Sequence, residues 1–413
     1  MVAVVPTSAT VPAPARSARF GPVLAAYAFA VTMAGTTLPT PIYPTYRAEF
    51  GFSQIVVTVV FATYAVGVIA GLLLFGNASD TLGRRRALLP GLALSAASGV
   101  AFLAADGLGL LLVGRALSGL SAGIFTGTAT VAVVELARPE RRNRATLLAT
   151  VANIGGLGCG PLLAGLLVQY VGAPTRLPFA VHLVLLVPAV VAVLLMPETV
   201  GDTGSLAGGL RRLRVQRPEV PVEVRATFVR GAIAAFAGFS VLGLFTAIAP
   251  SFLGEILGVR NAAAVGLVVF GVFAVSIVGQ TALDRVPGPR GLVIGCAALV
   301  VGMAVFAAGL AAASLALLVG GGLVAGFGQG MSFRAALGAV NAEAPGDRRA
   351  AVASTFFVVA YVALALPVLG VGVLAKLTDL TTAGLVFAGL VTVLALAAVG
   401  LLIAEGRRSR TGS

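Results

Sequence analysis

The chain has 413 residues, of which 58% are hydrophobic and only 10% charged; 28 Lys and Arg stand against 15 Asp and Glu, a net charge of +13. A water-soluble domain carries nearer a quarter charged residues, so this composition excludes the soluble globular class and requires most of the chain to face hydrocarbon. The basic excess does not argue for a nucleic-acid partner, because the arginines fall in short loops between apolar runs, where they set orientation across a bilayer.

Residues 1–19 carry Pro6, Pro12 and Pro14 among small and polar residues, and read as a disordered cytoplasmic tail without a cleavable signal. From there, charge-free runs count the spans, since a helix needs about 20 apolar residues to cross about 30 Å of hydrocarbon. The runs are 20–46, 50–79, 87–105, 107–134 (interrupted by Arg115), 145–175 and 177–197. After a hydrophilic stretch come 231–254, 261–283, 291–333, 350–375 and 380–404. The stretch 291–333 is long enough for two helices with a turn near Ala311–Ser314, which makes twelve transmembrane helices in an all-α membrane protein. The first run ends in Leu38-Pro39-Thr40-Pro41-Ile42-Tyr43-Pro44, which cannot stay a regular helix and is expected to bend near the outer face, at an extracellular gate.

The domain organisation expected from this pass is a 20–200 half of six helices, a cytoplasmic linker over 201–230, a 231–404 half of six helices, and a cytoplasmic tail over 405–413. Alternating the loops across the membrane puts 22 of the 28 basic residues on one side and four on the other. The positive-inside rule then places both termini in the cytoplasm, in a multi-pass cell (inner) membrane protein. The halves echo each other. Gly119-Leu-Ser-Ala-Gly123 returns as Gly326-Phe-Gly-Gln-Gly330, and the Pro139 loop after the fourth helix returns at Pro345. Two similar six-helix halves are the internal symmetry of alternating-access transporters, whose site lies near the midplane between them.

The loop after the second span reads Gly76-Asn-Ala-Ser-Asp80-Thr-Leu-Gly83-Arg84-Arg85-Arg86. At every defined position it resembles the signature loop of the major facilitator superfamily, G-x-x-x-D-x-x-G-R-R. Further matches are Leu111-x-x-x-Arg115-x-x-x-Gly119 in the fourth helix and Pro197-Glu198-Thr199 after the sixth. A degenerate second copy of the loop runs from Gly279 to Arg290 through Asp284 and Gly288. Gly156, Gly160, Pro161 and Gly165 are similar to the fifth-helix motif of the family's antiporters. The resemblance implies the two-half fold, a small-molecule substrate, protons as coupling ion, a monomer, and drug- or metabolite-like efflux by secondary active transport.

In that loop Gly76 allows close packing, Gly83 supplies a turn, and Asp80 is placed to accept from N–H groups at a helix start. Arg84 and Arg85 can bridge to Glu135 at the end of the fourth helix. The six together read as a conformational latch on the cytoplasmic side. Arg115, a charge about eight residues into its helix, sits above the strip Gly119, Gly123, Gly127, and two readings stand. It is either satisfied by neighbouring carbonyls or a cavity-facing cation for an anionic group or proton coupling. The small-residue face Ala152, Gly156, Gly160, Ala164 of the fifth helix is expected to pack against the opposite half. Tyr27, Thr36, Asn153, Phe239, Gln329, Phe357 and Tyr361 are the polar or aromatic candidates for the transport path beside Arg115, each open to an ordinary packing role. His182, the one histidine, reads as an interfacial residue near the outer end of the sixth helix.

No metal spacing, no carboxylate pair within a span and no ATP-binding loop of the G-x-x-x-x-G-K-[ST] type occurs in the sequence, so neither an enzyme nor a primary pump is expected. No cofactor or metal is called for. The central parts of the spans carry no carboxylate, which favours a neutral or anionic substrate over a cation and leaves the proton carrier without a candidate. An uptake symporter for a nutrient or organic anion is the alternative within the class, and a non-transporting membrane sensor the one outside it.

Overall fold

The computed structural model describes residues 16–76, 78–200, 216–286, 290–346 and 348–411, with side chains from 20 to 404 except Ala78. Of the expected disordered tail 1–19, residues 1–15 lie outside the described residues and 16–19 are instead helical, running into the first span; half of the linker, 201–215, and Gly288 also lie outside them. Among the described residues, twelve helices are long and apolar enough to cross a membrane. In chain order they are α1 (Phe20–Phe50), α2 (Gln54–Phe75), α3 (Arg84–Leu103), α4 (Leu108–Glu135), α5 (Pro139–Tyr170) and α6 (Leu177–Leu195). The second set is α7 (Val222–Ala247), α8 (Ala262–Arg285), α9 (Arg290–Ala311), α10 (Leu315–Glu343), α11 (Arg349–Leu377) and α12 (Leu380–Ala404).

Local chemistry accounts for the irregular points. In α1 the proline cluster breaks the helix into a 3-10 turn at Thr40–Ile42, and helix resumes at Tyr43 with Pro44 in its first turn, where a missing N–H costs nothing. Gly51 ends it in the left-handed region, with φ of 67°. Asn261 starts α8 by accepting from Ala264 N at 2.9 Å.

Within each half, helices approach through glycine. A Cβ on Gly123 of α4 would lie 2.6 Å from Val68 O and 2.8 Å from Gly71 Cα of α2, and one on Gly119 would lie 2.8 Å from Gly67 Cα. The echo 207 residues later is used the same way. A Cβ on Gly326 of α10 would lie 2.6 Å from Val272 O of α8, and Gly330 sits against the carbonyl of Ser276. Apolar side chains gain nothing by leaving lipid, so such backbone approach is what holds membrane helices together. Because the obstacle at Gly330 is a carbonyl on a rigid helix, Gly330→Ala is expected to abolish monodisperse elution of the purified protein, whereas Gly338→Ala, with open space around it, is expected to leave it intact.

The two halves meet along two seams. Gly372 of α11 packs on Thr58 of α2, and Gly165 and Gly266 seat α5 on α8 through the Ala262 and Pro161 carbonyls.

Candidate functional site

Followed from end to end, the interface between the halves is bonded across at one end, beside a groove of about 830 Å³, and holds a cavity at the other. α2 separates the ends by 22 residues, about 33 Å at 1.5 Å per residue. At the bonded end Arg47 Nη1 donates to Glu255 Oε1 at 2.5 Å and to Gln54 Oε1 at 2.9 Å, and Ser251 Oγ reaches the same Gln54 oxygen at 2.9 Å. Gln169 Oε1 accepts from Ala262 N at 2.9 Å. Three of these bonds join one half to the other. The bend in α1 contributes Pro41 and Pro44 to the groove beside them.

At mid-depth the interface narrows to a space of about 30 Å³ among Thr36, Tyr64, Phe239, Tyr361 and their neighbours. That holds about one water and no solute. Tyr64 and Tyr361 meet edge-on with centroids 6.4 Å apart, and Phe239 packs on Phe333 at 4.9 Å and Tyr361 at 6.5 Å. Beyond this constriction a cavity of about 340 Å³ lies towards the signature-loop end. Leu72, Thr126 and Gly127 line it from one half, Leu337, Asn341, Ser354 and Phe357 from the other. A neighbouring cleft of about 350 Å³ lies between the start of α5, with Arg144 and Thr146, and Gln280, Asp284 and Arg334. There Arg334 pairs with Asp284 at 2.7 Å, so the degenerate loop copy also carries an Asp–Arg ion pair.

The signature loop forms a compact charge cluster inside one half. Arg84, buried to 7% exposure, takes Glu135 in a two-pronged pair at 3.0 and 3.1 Å, and its Nη1 donates to Ser79 Oγ at 2.6 Å and Asp80 Oδ1 at 2.5 Å. Planar two-point pairing of this kind is what arginine supplies and lysine does not. Gly83 takes φ of 93° at the N-cap of α3, a value that favours glycine. The carboxylate that caps α3 is Glu198, which accepts from Arg84 N at 2.8 Å and Arg85 N at 3.1 Å. Asp80, expected in that role, instead faces Arg84 from the short helix Ala78–Leu82. The reason is geometric: the left-handed turn at Gly83 starts α3 after Asp80, so its free N–H groups point to the end of α6. Thr199 Oγ1 then ties Glu135 Oε2 at 2.7 Å. Gly76 packs not on a helix but on the linker, where Gln216 N donates to Leu73 O at 2.8 Å and the Gln216 side chain lies over the glycine.

Arg115 is enclosed at 1% exposure. It donates to Thr36 O at 2.5 Å and to the Tyr43 hydroxyl, and the rings of Tyr43, Tyr64 and Phe102 lie 5.3, 5.9 and 5.9 Å from its guanidinium carbon. It lines none of the cavities described above; Thr36 and Tyr64 stand between it and the constriction. Of its two sequence readings, the carbonyl-satisfied one fits this placement.

The fifth-helix motif divides its contacts. Gly156 and Gly160 face α1, against Ala30 and Ala34 of the same half, while Gly158, Pro161 and Gly165 face α8 of the other. The expectation that the Gly156–Gly160 face meets the opposite half is therefore corrected, because at about 100° per residue the contact shifts to positions two and five residues on. Pro161 cannot donate to Leu157 O, and Thr37 Oγ1 of α1 does so at 2.7 Å. A π-turn at Val151–Gly155 precedes it.

The remaining candidates scatter. Thr36, Phe239 and Tyr361 line the constriction and Phe357 the open cavity. Gln329 is fully buried inside its own half, accepting from Ser276 Oγ at 2.6 Å. Tyr27 turns away to donate to Leu185 O of α6 at 3.2 Å. Asn153 sits in the π-turn with its Oδ1 unpartnered. His182 is not interfacial but buried at 3%, packed on Gly35, with Ser95 Oγ 3.2 Å from Nε2. Tyr64, Gln216 and Glu198 are missing from the sequence-derived site; the Pro-Glu-Thr match marked Glu198, and an aromatic within a span was the signal for Tyr64.

Among the described residues, twelve spans in two similar halves meet along a seam, the architecture of alternating-access secondary transporters. The model of the Major Facilitator Superfamily matches residues 25–366, and the chain belongs to that family. No curated protein sequence matches it. The fold is similar to that of the peptide transporter POT in complex with sulfate (TM-score 0.76, 15% identity, 95% of each chain covered). It is also similar to the xylose transporter XylE of E. coli in a partially occluded inward-open conformation (TM-score 0.69, 16% identity, 92% of this chain and 96% of that one). The human organic anion transporter MFSD10 (TETRAN) is a third likeness, with TM-score 0.66, 16% identity, and 94% and 100% covered.

Proposed function

We propose that the chain exports small neutral or anionic molecules across the cell (inner) membrane by proton-coupled alternating access, acting as a monomer with both termini in the cytoplasm. The observation that carries the reading is the asymmetry of the seam. It is bonded across the halves at the Arg47–Glu255 end and holds a solute-sized cavity at the signature-loop end. On the orientation set by the arginines, that is an inward-facing state. The units that rock are the 20–200 and 231–404 halves, with 201–230 as the linker between them. The signature loop, through Gly76, Asp80, Gly83, Arg84, Arg85 and Glu135, acts as the latch, resting here within its own half. The path runs past Phe357, Tyr361, Phe239 and Thr36.

Proteoliposome flux under an imposed pH gradient tests this reading. Solute movement opposed to proton flow and abolished by an uncoupler is the expected result. Movement with the protons would make the chain an uptake symporter, and flux indifferent to the gradient would remove proton coupling. A cysteine at Ser205 that reacts with an impermeant maleimide from outside intact cells would overturn the orientation.

A further inference from the structure

We infer that the 340 Å³ cavity binds an uncharged solute that carries several hydrogen-bonding groups beside apolar C–H or ring surface. This rests on the transport reading and names the substrate class of the same site.

Three observations converge. First, the charges at the cavity's rim are already neutralised. Arg84 is held by Glu135 and Asp80 at 3.0 and 2.5 Å, and Arg115 is sealed behind Thr36 and Tyr64. An anion entering here would meet the Asp80 carboxylate and find no uncommitted cation on the wall, a costly exchange for its hydration. Second, four side chains lining this one cavity carry a buried oxygen without a hydrogen-bond partner among the described residues: Thr126 Oγ1, Gln216 Oε1, Asn341 Oδ1 and Ser354 Oγ. They come from α4, the linker, α10 and α11. A buried polar group left unpaired costs about 1–3 kcal/mol, and such groups are few in native proteins. Their gathering at one cavity is the arrangement that a solute supplying O–H or N–H groups would complete. Third, Leu72, Leu337 and Phe357 line the same cavity, Leu337 one turn from Asn341 and Phe357 one turn from Ser354, and they offer contact to C–H or ring faces and nothing to a charge. The volume suits a single sugar-sized or nucleobase-sized ring.

The test uses the purified full-length protein and matched probes that differ in charge at similar shape: galactose against galacturonate, and uracil against orotate. A neutral member is expected to raise the melting temperature and its carboxylate partner to leave it unchanged. Ser354→Ala and Asn341→Leu should keep or raise the melting temperature of the empty protein, because each removes an unpaired group, while cutting the probe-induced shift to less than half. A purely structural role would instead lower the empty protein's melting temperature. The inference falls if the carboxylates stabilise as well as the neutral members, if no neutral probe stabilises, or if both variants keep the full shift. It falls too if Arg144→Gln removes the shift while Ser354→Ala keeps it, since the solute would then sit in the neighbouring cleft. Proton-linked flux of a carboxylate probe would sink the neutral class and leave the transport reading standing. Failure of the transport reading would appear separately, as a bonded end that never opens.

Discussion

Arg115→Ala is expected to destabilise the purified protein by on the order of 3 kcal/mol, with transport per folded molecule retained at a temperature where the variant is still folded. The guanidinium is the centre of a closed knot: it donates to the Thr36 carbonyl and the Tyr43 hydroxyl, and three aromatic rings face it within 6 Å. Removing it leaves the Tyr43 hydroxyl and a carbonyl buried without their donor, and a void among Tyr43, Tyr64 and Phe102. The relief of desolvating one charge offsets part of that loss, which keeps the figure below the sum of its bonds. Arg115→Lys retains the charge but offers a compact ammonium that cannot span both acceptors and the rings, so a loss of about half that size is expected. Thermal unfolding followed by size-exclusion elution measures both. An alanine variant as stable as the parent but without transport would put Arg115 back on the substrate path.

Asp80→Asn is expected to keep the protein folded and inserted and to reduce transport about tenfold, the rate equivalent of 1.4 kcal/mol. In this conformation the Asp80 carboxylate is 61% exposed and pairs with Arg84 alone among the described residues. Across the cavity stands the beginning of α11, where Ala350, Ala353 and Ser354 share the wall with it. When the halves close at this end, that carboxylate approaches a helix N-terminus opened by Arg349, where negative charge is worth up to about 2 kcal/mol. The amide keeps the shape and loses the charge, so the closed state at this end loses its attraction while Arg84 keeps Glu135. Flux per mole of inserted protein measures it. Unaltered flux at normal expression would reduce the loop to a topology element.

The helices were legible because hydrocarbon forbids charge: the runs free of Asp, Glu, Lys and Arg trace the spans, and even the uncharged 291–333 stretch divides at Ala311 and Leu315, where the turn residues lie. Glu135 was named from sequence as a partner for Arg84 because it ends the fourth helix on the side of the loop; the second partner, Asp80, four residues before Arg84, was instead read as a helix cap. What periodicity does not carry is the rotation of a helix about its axis. It showed that α5 has a small-residue face at Gly156 and Gly160, but which neighbour that face meets depends on the packing of α1 and α8. The Glu198 cap joins residues 114 apart to Arg84, and the Gln216 contact places the linker over Gly76; neither has a local signal. His182 looked interfacial from its place near a helix end, yet Gly35 lets α1 close over it.

Paired spin-label distances test alternating access most directly. With Cys159 and Cys296 replaced, labels at Ala48→Cys and Val259→Cys report the bonded end, and labels at Val131→Cys and Ala350→Cys report the cavity at the other. In proteoliposomes each pair should show a short and a long population, and lowering the pH should move them in opposite directions, one end lengthening as the other shortens. Distances that stay single and fixed at both ends, or that lengthen together, would contradict the account.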